Sequence, residues 1–200
     1  MLDELIEVLT PEGKPTGRRK PKADIHRDGD WHRAIHVWIV TPDDQILLQR
    51  RSIRKENNPG LWDVSAAGHV SAGEDLLDSA VREVREELGL TLRPDELRHI
   101  ATLRQSCVLN RGTYFDNEWY EIFIVRRAVD LRQLILQPEE VDEAALVTIG
   151  EFRERVTRHD PTLVPHDEEY ALLLATTPTT SSPPPGGYPY SGGSRRPSSR

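Results

Sequence analysis

Three glutamates fall within six residues, Arg82-Glu83-Val84-Arg85-Glu86-Glu87, just ahead of Gly89. On a helix Glu83 and Glu87 meet at the four-residue spacing and Glu86 joins Glu83 at the three-residue spacing, each like-charge pair costing roughly 0.2–0.5 kcal/mol. Gly89 is the natural helix stop, so Glu86 and Glu87 lie in the last turn, where the helix dipole disfavours negative charge. A helix selected only for stability would not carry this pattern. Clustered carboxylates suit a hard cation such as Mg²⁺, which takes oxygen ligands and bridges to substrate phosphates. Leu77, Ala80, Val81, Val84 and Leu88 recur at helical spacing and form the core-facing stripe. Glu83 and Glu87 fall beside that stripe and Glu86 further out, with Arg82 placed one turn before Glu86 to hold it by an ion pair. Gly68 and Gly73 bracket the preceding loop, where glycine lets backbone approach a ligand.

The surrounding elements must position this helix. His32–Val40 alternates Ala34, His36, Trp38 and Val40 against Arg33, Ile35, Val37 and Ile39, and reads as a strand. Thr41-Pro-Asp-Asp is a turn and Gln45–Arg51 the returning strand of a hairpin. Asn57-Asn-Pro-Gly opens a loop before a strand at Leu61–Ala67. After the acidic helix, strands are expected at Arg98–Leu109 and Trp119–Arg127, joined by a polar loop around Asn110–Asn117. A short strand at Glu143–Thr148 leads into a helix at Gly150–Arg158, and a last helix covers Asp167–Ala175. Residues 1–30 are an N-terminal extension packed on or leading into the core, a polar leader with a short strand at Leu5–Leu9. Residues 31–175 form one domain, and strands with helices outside them imply an α/β/α sandwich. Residues 176–200 read TTPTTSSPPPGGYPYSGGSRRPSSR, too poor in aliphatic residues to offset ordering entropy, and are expected to be a disordered tail. Tyr188 and Tyr190 with Arg195 and Arg196 are a docking motif only if that tail is not passive.

Gly68 to Leu90 resembles the Nudix box: Gly68, Glu74, Arg82, Glu83, Val84, Glu86, Glu87, Gly89 and Leu90 occupy every specified position of that pattern. The resemblance implies the Nudix α/β/α fold with a mixed sheet and a Mg²⁺-dependent pyrophosphohydrolase, with Mn²⁺ as substitute. Glu83, Glu86 and Glu87, with the Gly68 carbonyl, would hold the metal on a diphosphate. The metal would neutralise charge and lower the pKa of a bound water. A carboxylate must then take the water's proton, and Glu86, Glu87 and Glu140 are the candidate catalytic groups. Gln137-Pro-Glu-Glu-Val-Asp-Glu brings Glu139, Glu140 and Glu143 to a place where such enzymes deliver a base; a solvated acidic loop is the competing reading. Arg50 and Arg51, with Arg54 and Lys55 after them, are candidates to grip phosphates, and Gly68 and His69 to touch the substrate.

Gly29-Asp-Trp-His-Arg-Ala, Leu47-Leu-Gln-Arg-Arg-Ser, Asn58-Pro-Gly-Leu-Trp-Asp and Ala67-Gly-His-Val resemble a narrower branch, that of isopentenyl diphosphate isomerase. That likeness implies a rival proton-transfer chemistry and, from His26, His32, His69, Asp116 and Glu118, an accessory metal site. Against isomerisation, the catalytic cysteine of that branch stands at the position of Ala67 here, and a methyl group transfers no proton. The Nudix box is intact where the isomerases degrade it, although the acidic pair around Asp116-Asn117-Glu118 is retained. Cys107 reads as a small core residue. The balance favours hydrolysis, with an isomerase-like enzyme and a non-catalytic nucleotide-binding module as alternatives. A nucleoside di- or triphosphate is the expected substrate, a pyrimidine by weak preference, with Trp31, Trp38, Trp62, Tyr114, Phe115 and Trp119 including candidate stacking partners.

Composition is consistent with this. The 200 residues carry a net charge of −7 with no basic stripe of the density a nucleic-acid surface needs. A divalent metal would reverse the local field that an acidic protein presents to an anionic substrate. One cysteine excludes an internal disulfide framework. No apolar run approaches a membrane span and Met1-Leu-Asp-Glu is no signal peptide, so a cytoplasmic protein is expected. Its partner is a small diphosphate substrate, with neither nucleic acid nor membrane; a homodimer is compatible with the sequence.

Overall fold

β-branched and aromatic residues on both faces of His32–Val40 (β3) make it a strand buried on two sides, and a computed structural model describing residues 4–177 places it at the centre of the main sheet. Parallel to β3 runs Tyr114–Arg126 (β8), in register from His32↔Glu118 to Val40↔Arg126. Arg98–Leu109 (β7) pairs antiparallel with β8 and closes that edge. On the other side Gln45–Arg51 (β4) meets β3 at Val40↔Ile46, while Ala66–His69 (β6) pairs with β3 from Ala34↔His69 to Val37↔Ala66. The expected hairpin is therefore formed at its turn and splayed beyond it by β6. β4 in turn pairs with Trp62–Asp63 (β5) and Val141–Thr148 (β9).

Helices cover both faces, and the strand alternation sorts the core into two halves. Trp38 and Val40 pack with Phe152, Tyr170 and Leu173 from the helices Ile149–Thr157 and Asp167–Thr176. Ile35, Val37 and Ile39 pack instead against Ala80, Val84 and Leu88 of the helix Leu76–Leu88. This is the α/β/α sandwich with a mixed sheet. Asp75 caps the Leu76–Leu88 helix through the Leu77 N–H, and Gly89 ends it in the left-handed region (φ 70°), where an added Cβ would also meet Ile135 at 2.7 Å.

The N-terminal segment is more structured than a leader with one strand. Leu5–Leu9 (β1) pairs antiparallel with Pro15–Pro21 (β2), and a short helix, Lys22–Asp28, follows. Ile6, Val8 and Ile25 bury together between them. The Pro15–Pro21 strand is largely exposed and carries no apolar alternation, and the helix has seven residues and no side-chain cap, so neither left a periodic signal. The joint between β7 and β8 is also tighter than expected, confined to Asn110–Thr113. Beyond Thr177 the expected tail lies outside the described residues; Thr176 and Thr177 still belong to the last helix and its cap. Among the described residues no helix is long and apolar enough to cross a membrane.

Candidate active site

The exposure of the three glutamates follows from the helix period. Glu87 is buried beside the apolar stripe, Glu83 is half-buried and Glu86 is exposed. Glu87 Oε2 accepts hydrogen bonds from Gln49 Nε2 (3.1 Å) and the Ala67 N–H (3.2 Å), which aims the carboxylate at the gap where β4 leaves β3. Burial, reinforced by the charge of Glu83, pushes the Glu87 carboxyl up to about 8. Burial also raises Glu83 to about 7, although the neighbouring Arg82 opposes it. A buried pair that resists ionising together is suited to receiving a cation.

Arg82 organises the group. It donates to both oxygens of Glu74 (2.9 Å each), to Glu83 (2.7 Å), to Glu86 (3.3 Å) and to the His69 carbonyl (3.0 Å). The ion pair with Glu86 is present, and the same guanidinium ties the loop before the helix to the strand β6. Its hydrogen bonds hold the Glu74 carboxyl down at about 2. Gly68 is required for a different reason: the Glu83 carboxylate lies against its α-carbon, where a side chain would collide.

Five more residues converge from separate elements. His26 comes from the N-terminal helix, His32 from β3, His69 from β6, and Asp116 and Glu118 from β8. His26 Nε2 is 3.2 Å from His69 Nε2, and Glu118 Oε1 is 3.3 Å from His32 Nε2 and 3.5 Å from His69 Nε2. The far nitrogens are fixed by backbone: Nδ1 of His26 donates to the Phe115 carbonyl (3.2 Å) and Nδ1 of His32 to that of Asp30 (3.1 Å). His32 Nε2 is buried and has no hydrogen-bond partner, because Glu118 lies off the direction such a bond needs. Burial, with the charge of His32, lowers His26 to about 4, and burial holds His69 well below its ordinary value. Burial and the charge of Glu118 raise Asp116 to about 7; burial works against ionising Glu118, but His32 outweighs it and holds that carboxyl at about 2. Burial works against a charge on His32 as well, but Glu118 outweighs it and raises that imidazole. Imidazoles oriented by backbone carbonyls beside two carboxylates are a donor set that a metal ion could use.

The glutamates, with His69, Asp116 and Glu118 of the second group, line one cavity of 670 Å³. Its cationic wall contains Arg51, Arg54, Lys55 and Lys22. Arg51 is held by Asp63 (2.9 Å) and the Asn57 carbonyl (3.1 Å), and Lys55 pairs with Glu140. Burial raises Glu140, but Lys55 outweighs it and keeps the carboxyl below its ordinary value. Glu139 lies on the rim, 3.7 Å from Arg54. Arg50 is not brought in: adjacent strand residues point to opposite faces, and Arg50 pairs with Glu143 (2.9 Å) outside the cavity. Cys107 also departs from expectation, because it lines the cavity opposite Asp116 in the β7–β8 register instead of lying in the core. Of the aromatics, Tyr114 lines the cavity and stacks on His26 with ring centroids 4.1 Å apart, whereas Trp38 is fully buried.

Sequence reasoning did not assign Lys22, Gln49, Asp63 and His166 to the site, and placed His36 only as a strand residue. The alternation of β3 was the available signal for His36, since it shares a face with His32 and Ala34. His36 Nδ1 donates to Glu169 Oε2 (2.8 Å), whose other oxygen accepts from Trp38 Nε1 (2.8 Å). Burial alone would lower His36, but Glu169 prevails and raises it to about 9.

Comparisons with known proteins agree with this arrangement. Residues 30–187 match the family model described as the NUDIX domain. The chain is 44% identical over 178 residues to Nudix hydrolase 3 of Arabidopsis thaliana, covering 86% of this chain but 23% of that protein's length. It is 32% identical over 153 residues to an isopentenyl-diphosphate Delta-isomerase of Streptomyces griseus, covering 76% of this chain and 74% of the relative. A Deinococcus radiodurans crystal structure superposes with a TM-score of 0.65 at 18% identity, over 84% of this chain and 98% of that one. The Nudix domain of Shewanella oneidensis NrtR, solved with ADP-ribose, gives 0.55 at 14% identity, over 72% and 86%. A carboxylate helix read from local spacing, the sandwich that positions it and a domain match over most of the length all lead to one assignment: the chain belongs to the Nudix hydrolase family.

Proposed function

We propose that this protein is a divalent-metal-dependent pyrophosphohydrolase that cleaves a phosphoanhydride bond of a nucleoside di- or triphosphate or a related nucleoside diphosphate derivative. The observation that carries this reading is charge layout: one cavity holds Glu83, Glu86 and Glu87 beside Gly68 and faces them with Arg51, Arg54 and Lys55. A metal diphosphate has the complementary pattern. Glu83, Glu86 and Glu87, with the Gly68 carbonyl, would hold Mg²⁺ or Mn²⁺; the raised carboxyls and the backbone left bare at Gly68 fit a hard cation. When bound, such a metal neutralises phosphate charge and activates water. Arg51 and Lys55 orient the phosphates, and Glu86, Glu87 or Glu140 accepts the proton.

The histidine group supports a second metal site built from His26, His32, His69, Asp116 and Glu118. The orphaned His32 nitrogen is the observation behind it. This group also favours the isomerase-like reading, as does the likeness to an isopentenyl-diphosphate Delta-isomerase. Ala67 and a Cys107 thiol raised by burial leave no thiolate for proton transfer at carbon. Hydrolysis is the better supported chemistry.

The test is Mg²⁺-dependent product release from nucleoside di- and triphosphates, nucleotide sugars and isopentenyl diphosphate, with Glu83→Gln and Glu87→Gln beside the parent. Nucleotide hydrolysis lost in both variants is expected. Turnover that survives both would move the chemistry to the histidine group, and double-bond migration in isopentenyl diphosphate would establish the isomerase.

A further inference from the structure

In the same cavity as the glutamates, on the face of β3 shared with His32, stands an imidazole that neither metal group uses. His36 is the register partner of Ala67, one residue along β6 from Gly68. Its side chain is 9% exposed, and that exposure opens on the cavity. Nδ1 is committed to Glu169, a carboxylate with no exposed surface and both oxygens occupied. No described residue hydrogen-bonds Nε2, and Nε2 is not among the buried atoms that lack a partner. It is a donor presented to whatever fills the cavity.

The neighbours keep this donor open and aimed. Ala34 and Ala67 contribute only methyl groups to the same wall. The Tyr120 ring sits 4.7 Å from the imidazole and that of His166 sits 5.1 Å away. His166 is itself fixed, its Nε2 3.1 Å from Asp63 Oδ1, while the other oxygen of Asp63 holds Arg51. The floor that follows the diphosphate wall is therefore a rigid polar frame. A hydrocarbon chain placed there would leave the donor unpaired, and an unpaired buried donor is strongly selected against.

We propose that His36, anchored by Glu169, is a specificity-determining residue whose Nε2–H donates to a carbonyl of the nucleobase carried by the substrate diphosphate. This deepens the hydrolase reading and rests on it for the placement of the phosphates. It identifies the organic group as one bearing an acceptor at the depth of Ala67, and it accounts for a buried Glu–His pair that no catalytic step requires. The frame also gives His166 and Asp63 a positioning role: they hold Arg51 and the floor in one body, so base and phosphates are read together.

Binding separates this inference from hydrolysis. Full-length protein would be titrated with an α,β-methylene nucleoside diphosphate and with its analogue carrying a phenyl ring in place of the base, both with Mg²⁺. The parent is expected to favour the true nucleotide by about 10- to 100-fold, the range of one hydrogen bond from a charged donor. His36→Asn keeps an amide near the position of Nδ1 for Glu169 and withdraws the cavity donor; it should lose that preference while its affinity for the phenyl analogue is unchanged. His36→Gln returns a donor near the position of Nε2 and should recover part of the preference. Should His36→Asn fail to fold, the parent still decides the matter, through its own discrimination and through the shift of the His36 Nε2 resonance on binding. Equal affinity of the parent for the two ligands, or an unmoved resonance, overturns the inference. Nucleotide binding with the His36 shift but without turnover of the hydrolysable substrate would overturn hydrolysis alone, and binding of neither ligand overturns both.

Discussion

A Cβ on residue 68 would lie 2.0 Å from Cδ of Glu83. The glycine of β6 and the first glutamate of the helix motif are thus one contact, and the fourteen intervening residues bring them together. The backbone at Gly68 is not in the left-handed region, so alanine can adopt it, and the obstacle is the end of a flexible side chain. Gly68→Ala should fold, with metal-free stability within about 1 kcal/mol of the parent. Displacing Glu83 should nevertheless lower metal affinity by about 10- to 100-fold, as loss of a supporting contact at a metal site does. Thermal melts with and without Mg²⁺ check this; a variant that keeps the parent's Mg²⁺-induced shift would refute the role of the contact.

Arg82 gives a prediction in acid. Glu74 is held at about 2 in the folded chain by Arg82, below its ordinary 4.5. A depressed carboxyl contributes stability that is present above pH 4.5 and lost as pH falls towards 2. Arg82→Lys keeps the charge but loses the planar fork that reaches Glu74, Glu83 and the His69 carbonyl together. Its acid-unfolding profile should be flatter across that window, and its turnover should fall about tenfold or more as Glu83 loosens. An unchanged acid profile would show that Glu74 is held by other groups.

Glu83 and Glu87 act in the opposite sense. Their folded values of about 7 and about 8 lie above the ordinary 4.5. Each contributes stability that is fully present below pH 4.5 and is lost as pH rises through those values. The metal-free protein should therefore melt at lower temperature at pH 8.5 than at pH 5.5, and saturating Mg²⁺ should remove most of the difference. Metal binding at pH 7 should release protons. Calorimetry in two buffers of different ionisation enthalpy measures that release, and a buffer-independent heat would show both carboxylates already ionised.

The histidine group predicts a metal count. Loaded with Mn²⁺ and desalted, the protein should retain one ion that His32→Gln removes and that Glu83→Gln does not, because the two groups draw on different elements. A single ion lost in Glu83→Gln and kept in His32→Gln would assign the histidines to hydrogen bonding alone.

The carboxylate helix was legible because its pattern is local: spacing within one element fixed which glutamate lies nearest the core, and Gly89 marked its end. That β3 is a strand was legible from its alternation for the same reason. What escaped was non-local. The resemblance named His26, but the short helix that carries it, without a side-chain cap, gave no signal, and its carbonyl partner at Phe115 lies 89 residues away. The splaying of β4 from β3 depends on β6 inserting between them, which no turn signal in Thr41-Pro-Asp-Asp encodes. Arg50 and Arg51 could not be told apart until the cavity's face of β4 was known, and Glu169 became the anchor of His36 across 133 residues.

Glu140 offers the sharpest test of the proton acceptor. It shares the cavity with Glu87 but belongs to a loop, and Lys55 holds it ionised. A diphosphate arriving at the cationic wall competes for Lys55 and would leave the Glu140 carboxylate free to take a proton from water. Removing a general base lowers turnover by about 10²- to 10⁴-fold. Glu140→Gln should therefore reduce kcat by that order, and KM should not rise, because Lys55 is freed for phosphate. Its pH–rate profile should also lose the limb that Glu140 contributes, while Mg²⁺ affinity stays that of the parent. A changed KM with kcat intact would make Glu140 a tether for Lys55 and return the base to Glu86 or Glu87, whose glutamine variants would then show the lost limb together with weakened metal binding.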